Sequence, residues 1–166
     1  MEKVIQSQTI VLPDNIDTDQ IYPGRFLALV DPKEIGSHCL EGVDHVDKNL
    51  VPGSILVAGT NFGCGSSREH AVICLMNAEV KAVVAESFAR IFFRNAINLG
   101  LPLITCPGIS QKAQTGQTLT VDMDAGTVTI QETGEVVPSE KLGEHVLKII
   151  EAGGIKPLFR AKMGPK

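Results

Sequence analysis

No stretch of this 166-residue chain holds the roughly 18 consecutive apolar side chains that a membrane-spanning helix needs. Lysine and arginine nowhere cluster, and a formal net charge of −4 runs against a surface built for nucleic acid. Any anionic ligand would therefore be drawn by a local site, not by the overall field. The four cysteines, Cys39, Cys64, Cys74 and Cys106, form no Cys-x-x-Cys pair. That scatter suits reduced thiols and leaves no set for zinc or an iron–sulfur cluster within this chain alone. Cys74 and Cys106 sit among apolar neighbours and read as core. The start, Met1-Glu2-Lys3-Val4, lacks the layout of a secretory leader, so a cytoplasmic location is expected. What remains is an ordinary soluble composition, 43% hydrophobic and 20% charged, long enough for one domain over residues 1–166 with a substantial core.

The chemistry concentrates in Asn61-Phe62-Gly63-Cys64-Gly65-Ser66-Ser67-Arg68-Glu69-His70. The strand-like run Ser54–Gly59 leads in and the helix-like run Ala71–Ala78 leads out. The glycines thus fall on a strand-to-helix turn, where unpaired backbone N–H groups carry partial positive charge and favour an anion. Gly63 and Gly65 permit positive φ and close approach of a ligand to the backbone. Arg68, expected one turn into the helix, adds a fork of donors suited to a carboxylate or phosphate, and Ser66 and Ser67 add two hydroxyls. Cys64 reads as a small filler of this cradle. No Gly-Lys-Ser/Thr follows, so this is not a nucleotide-binding P-loop, and Arg68 stands where a dinucleotide fingerprint needs its third glycine. Ser66 and Glu69 also have the spacing of a capping box, and capping alone would account for both. Arg68 is the residue that capping leaves unexplained.

Elsewhere the pattern is that of an α/β domain with a mixed sheet. Val4–Leu12 reads as a strand ended by Pro13, followed by the acidic loop Asp14–Asp19, which lacks the glycine and glutamate of a calcium loop. Asp31 and Pro32 open a helix. His38 and His45 are isolated and read as surface or capping residues. Ala82–Ala85 and Leu101–Thr105 are short buried strands, and between them Glu86–Leu99 is expected as a helix capped by Ser87 and stopped by Gly100 and Pro102. Arg90 and Arg94 form a like-charge i,i+4 pair, read as solvated. From Thr118 alternation returns in an antiparallel meander with turns at Asp124–Gly126 and Glu132–Gly134. A last helix is expected over Ser139–Ala152, and the tail Lys156–Lys166 as loose without a partner.

Three of these segments coincide with one family. Asp17-Thr18-Asp19, the stretch Asn61–Ala71 and Ser87-Phe88-Ala89-Arg90-Ile91-Phe92-Phe93-Arg94-Asn95 resemble the swivel domain of the aconitase superfamily. At this length the chain is similar, nearly end to end, to the small subunits of 3-isopropylmalate dehydratase (isopropylmalate isomerase). The resemblance implies a swivelling β/β/α fold and a separate large subunit carrying a [4Fe–4S] cluster, with no cofactor bound by this chain. It further implies a hydro-lyase of leucine biosynthesis, active only as the two-subunit complex, that isomerises a hydroxy-dicarboxylate by dehydration and rehydration.

By that resemblance Ser66 is the base, stabilised as an alkoxide by fixed donors at the helix start. Arg68 grips a substrate carboxylate in bidentate fashion, Ser67 and the Gly65 backbone assist binding, and Asp19 orients the catalytic groups. The loop after Pro23 sets the substrate: related subunits acting on homoaconitate place an Arg where this chain has Ala28. Without that cation a branched alkyl group is favoured over a third carboxylate. Isopropylmalate is thus the expected substrate, with 2,3-dimethylmalate, methylmalate and homoaconitate as alternatives. A non-catalytic carboxylate-binding module is the competing reading from outside enzymology.

Overall fold

Alternation with β-branched side chains gives β1 (Val4–Val11), and Pro13, which has no N–H for the ladder, lies just beyond its end. A computed structural model describes residues 3–44 and 46–163 of the chain. After β1 come a one-turn helix α1 (Thr18–Ile21), α2 (Pro32–Ser37), β2 (Ile55–Ala58), α3 (Glu69–Asn77), β3 (Ala82–Ala85), α4 (Arg90–Leu99) and β4 (Leu103–Thr105). The second half contributes α5 (Ile109–Lys112), β5 (Thr118–Asp122), β6 (Thr127–Ile130), β7 (Glu135–Pro138), α6 (Glu144–Ala152) and α7 (Ile155–Met163). The seven strands among the described residues join one sheet in the order β4-β3-β2-β1-β5-β6-β7. It is parallel from β4 to β1 and antiparallel from β1 to β7, the mixed sheet expected.

The wholly apolar runs of β2 and β3 are explained by burial on both faces. Leu56, Ala58, Val83 and Ala85 face a core shared with α3, α4 and α6. Ile55, Val57, Ala82 and Val84 face a second core closed by the meander, through Leu119, Val121, Val128 and Ile130. Each buried Val, Leu or Ile among them contributes about 1.5–3 kcal/mol by leaving water, and each Ala less. Cys39, Cys74 and Cys106 are buried, as thiols acting as small apolar fillers. Burial and the neighbouring Cys39 push the Cys74 thiol well up, and burial followed by the Glu86 charge takes Cys106 to about 12. No helix among the described residues is long and apolar enough to cross a membrane.

Several helix limits depart from the sequence reading, each for a local reason. Asp17 caps α1 in a reciprocal box with Gln20, so the acidic loop ends in a helical turn. Helix α4 starts at Arg90 because residues 87–89 are held extended against the glycine loop; Ser87 Oγ accepts from Asn61 N–H and caps nothing. Helix α6 starts at Glu144, since Ser139 N–H donates to Gly126 O and Glu140 N–H to Thr105 O. The tail is not loose: α7 packs on α4 and α6 with Ile155 and Leu158 half-buried, and residues 164–166 lie outside the described residues. His38 stacks on Phe26 and bonds Glu41; His45 also lies outside the described residues.

Candidate active site

Parallel strands deliver their carboxyl ends to one edge of the sheet, the usual place for a ligand in such folds. Here three loops meet at that edge, following β1, β2 and β3. The first two are zipped by backbone bonds: Asn15 N–H to Thr60 O, Gly63 N–H to Ile16 O, and Thr18 N–H to Cys64 O, all 2.8–2.9 Å. The third is tied on the other side, through Phe62 N–H to Ser87 O and Ala89 N–H to Phe62 O. Phe62 is fully buried between them, edge-on to Phe88 and Phe92. Gly63 and Gly65 have φ of 86° and 96°, the left-handed region that glycine enters without strain. A Cβ on Gly63 would lie 2.2 Å from Phe92 Cγ, so that position is also sterically closed.

This frame fixes Ser66 outside the helix. Helix α3 begins at Glu69 with Arg68 as its N-cap and no side-chain capping bond, so the capping box that the spacing of Ser66 and Glu69 allows is not formed. The reason is a tight turn in which Arg68 N–H donates to Ser66 O at 3.0 Å. Arg68 therefore stands at the helix start and not one turn in. The exposed Ser66 hydroxyl lies 3.3 Å from the hydroxyl of Thr18, which is 2% exposed and donates to Ser66 O at 3.0 Å. A hydroxyl has a single proton, so Thr18 Oγ1 accepts from Ser66 Oγ.

Arg68 Nη1 reaches Asp19 Oδ1 at 3.4 Å, and Gly24 N–H donates to the same oxygen at 2.9 Å. Asp19 thus steadies one arm of the guanidinium and leaves the rest of the fork free. A cleft of about 400 Å³ opens beside these groups, lined by Thr18, Asn61, Gly63, Gly65, Ser66, Ser67, Arg68, Ala89, Arg90, Ile91, Phe92 and Asn95. The uncapped first turn of α4 lines it through Arg90, Ile91 and Phe92, and Arg68, the N-cap residue of α3, lines it as well, so a positive helix end and two arginines share one cleft. Its volume suits a small dianion. A larger cavity of about 900 Å³, at the opposite end of the strands, is lined by Lys3, Val4, Ile5, Gln6, Met76, Val80, Lys81 and residues 100–102, with no hydroxyl, imidazole, thiol or carboxyl side chain.

Of the residues picked from sequence, Ser66, Ser67, Arg68 and Gly65 line the cleft, and Asp19 touches it through Arg68. Ala28 does not line it. It is exposed on the loop that begins at Gly24, where Tyr22 Oη bonds Phe26 O at 2.6 Å and the Arg25 guanidinium lies 4.6 Å over the Phe26 ring. Thr18, Arg90, Ile91 and Asn95 had no assigned part; only their presence in the resembling segments signalled them. Among the described residues no three His, Cys, Asp or Glu side chains are grouped to hold a metal ion.

Residues 49–107 match the aconitase C-terminal domain family. The chain is 46% identical to the isopropylmalate/citramalate isomerase small subunit of Methanocaldococcus jannaschii, over 98% of both chains. It is 47% identical to 3-isopropylmalate dehydratase small subunit 1 of Methanopyrus kandleri, over 100% of this chain and 98% of that one. This chain belongs to the 3-isopropylmalate dehydratase small-subunit family. A crystal structure of 3-isopropylmalate dehydratase from M. jannaschii superposes with a TM-score of 0.87 at 37% identity, over 96% of this chain and 95% of that one. The α/β swivel fold expected from the sequence is thus that of the family.

Proposed function

We propose that this chain is the small subunit of a hydro-lyase that interconverts 2-isopropylmalate and 3-isopropylmalate, and that it supplies the base and the grip on a substrate carboxylate. The observation that carries the proposal is the meeting of Ser66, Arg68 and Asp19 at one cleft, on a chain nearly half identical from end to end to proteins named for that reaction. Ser66 Oγ first gives its own proton to solvent and becomes the alkoxide. It then takes the proton from the carbon beside the carboxylate that Arg68 holds, ending as a neutral hydroxyl, and returns that proton when water adds back in the other sense. Thr18 makes this feasible by turning its own O–H from Ser66 O to the Ser66 oxygen as that oxygen becomes negative. Ser67 and the Gly65 backbone bind the same carboxylate region, and Asp19 keeps the Arg68 fork from swinging into solvent. A [4Fe–4S] cluster on the large subunit supplies the Lewis acid that makes hydroxide a competent leaving group.

The M. jannaschii relative is named for citramalate as well as isopropylmalate. Ala28, exposed and outside the cleft lining of the free chain, offers no cation for a third carboxylate, and Arg25 of the same loop is laid over the Phe26 ring, so the alkyl diacids are favoured over homoaconitate. The test is to mix the purified chain with its cluster-loaded large subunit and follow 2-isopropylmalate, citramalate and homoaconitate in parallel. Turnover of an alkyl diacid only in the mixture is the expected result. Preference for the tricarboxylate would show that the absence of a cation at Ala28 does not set the substrate. Dicarboxylate binding by the chain alone, abolished by Arg68→Ala and with no turnover in any mixture, would favour the non-catalytic module.

A further inference from the structure

Helices α4 and α7 carry Arg90, Arg94, Lys156, Arg160 and Lys162 and no Asp or Glu, on a chain whose net charge is −4. All five side chains are exposed, and among the described residues none pairs with a carboxylate. On an isolated helix Arg90 and Arg94, one turn apart, repel each other. Beside them the two helices and α6 enclose a groove of about 570 Å³ with apolar walls from Phe88, Phe93, Ile97, Val146, Ile149 and Ile155. Ile91, Phe159 and Met163 are 54%, 59% and 67% exposed on these same helices. Arg90 lines both this groove and the catalytic cleft, so the two are continuous.

Resting on the function proposed above, we infer that the α4/α6/α7 groove is the docking surface for the large subunit, which seats an apolar segment in it and faces the arginines with Asp or Glu. Continuity decides the occupant. The chain builds only part of the cleft, and a subunit that brings the missing part to Ser66 must pass over Arg90 and so over the adjoining groove. The charge is complementary to an acidic rim and the apolar walls supply the buried centre that a stable interface needs. Concavity favours a protein segment over a flat membrane surface.

The experiment uses the full chain and its cluster-loaded large subunit, and compares wild type with Arg94→Glu, Phe159→Ser and the double variant. Neither residue lines the cleft, and both are exposed, so the melting temperature of the free chain should stay within about 2 °C of wild type. The expected result is at least a tenfold rise in Kd for the large subunit in the double variant, with kcat at saturating large subunit unchanged and the salt dependence of Kd reduced. If wild type binds and activates while the double variant binds within twofold of it, the docking assignment is wrong and the catalytic proposal stands. If wild type gives no activity with its large subunit, the catalytic proposal itself fails. Loss in the double variant of a wild-type homodimer, or of binding to phosphatidylserine vesicles, with the large-subunit Kd unmoved, would also overturn the assignment.

Discussion

Replacing Thr18 by valine removes one hydroxyl from beneath Ser66 and leaves the shape nearly intact. In the resting arrangement Thr18 Oγ1 donates to Ser66 O at 3.0 Å and lies 3.3 Å from Ser66 Oγ, while Ser66 O keeps a second donor in Arg68 N–H. The ground state therefore loses the bond to Ser66 O, about 1 kcal/mol of stability, and the long bond from the exposed Ser66 hydroxyl, which water can replace. Once Ser66 is deprotonated the bond from Thr18 becomes one to a charged oxygen, worth about 1–2 kcal/mol more than the neutral one. At about 1.4 kcal/mol per tenfold in rate, kcat of the assembled enzyme should fall about 5- to 30-fold. KM should move less than about twofold, because Thr18 contacts Ser66 and not the carboxylate held by Arg68. Thr18→Ser keeps the hydroxyl and should recover most of the loss. The assay is steady-state turnover at saturating large subunit, with urea denaturation of the free variant as the folding control. A kcat for Thr18→Val within twofold of wild type, or equal losses in Thr18→Val and Thr18→Ser, would reduce Thr18 to a structural bond.

Three further outcomes follow from the same frame. Gly63→Ala should destabilise the free chain by about 2–5 kcal/mol in urea titration, combining left-handed strain with a clash against the buried Phe92 ring; a loss below about 1 kcal/mol would contradict the frame. The Glu86 carboxyl is pushed up by burial, but bonds from Gly108 N–H, Ser110 N–H and Ser110 Oγ outweigh that and hold it below its ordinary 4.5. A carboxyl lowered in the folded state stabilises fully above its unfolded value, and loses that contribution as pH falls through the lowered one. Glu86→Gln should thus cost about 2 kcal/mol at neutral pH and progressively less below pH 4.5, and a pH-independent difference would contradict this. With a thiol reagent one cysteine of four, Cys64, should react in the folded chain and all four after denaturation; native labelling of Cys74 or Cys106 would refute their core placement.

Sheet and core could be read from the chain because their signals are local and strong. The apolar runs Ile55–Ala58 and Ala82–Ala85 admit little but doubly covered strands, and Gly100 and Gly153 stop their helices in the left-handed conformation as such residues do. The helix starts misled because non-local bonds outcompete local capping. Ser87 and Ser66 have capping spacing, yet Asn61 N–H takes the first and the Ser66–Arg68 turn removes the second from the helix. Thr18 and Arg90 carry no spacing signature. They enter the cleft only because the loops after β1 and β3 fold against the glycine loop, a fact of sheet order. The basic corner of α4 and α7 carries no sequence signal either, because its two halves lie some sixty residues apart and only packing joins them.

The most direct measurement concerns Ser66. Ser66→Ala should leave the stability of the free chain and its affinity for the large subunit near wild type, since the side chain is exposed and makes one long bond. In the assembled enzyme it should abolish interconversion of 2- and 3-isopropylmalate and the exchange of the substrate's C–H proton with solvent. Near-normal turnover with proton exchange retained would show that another group takes the proton.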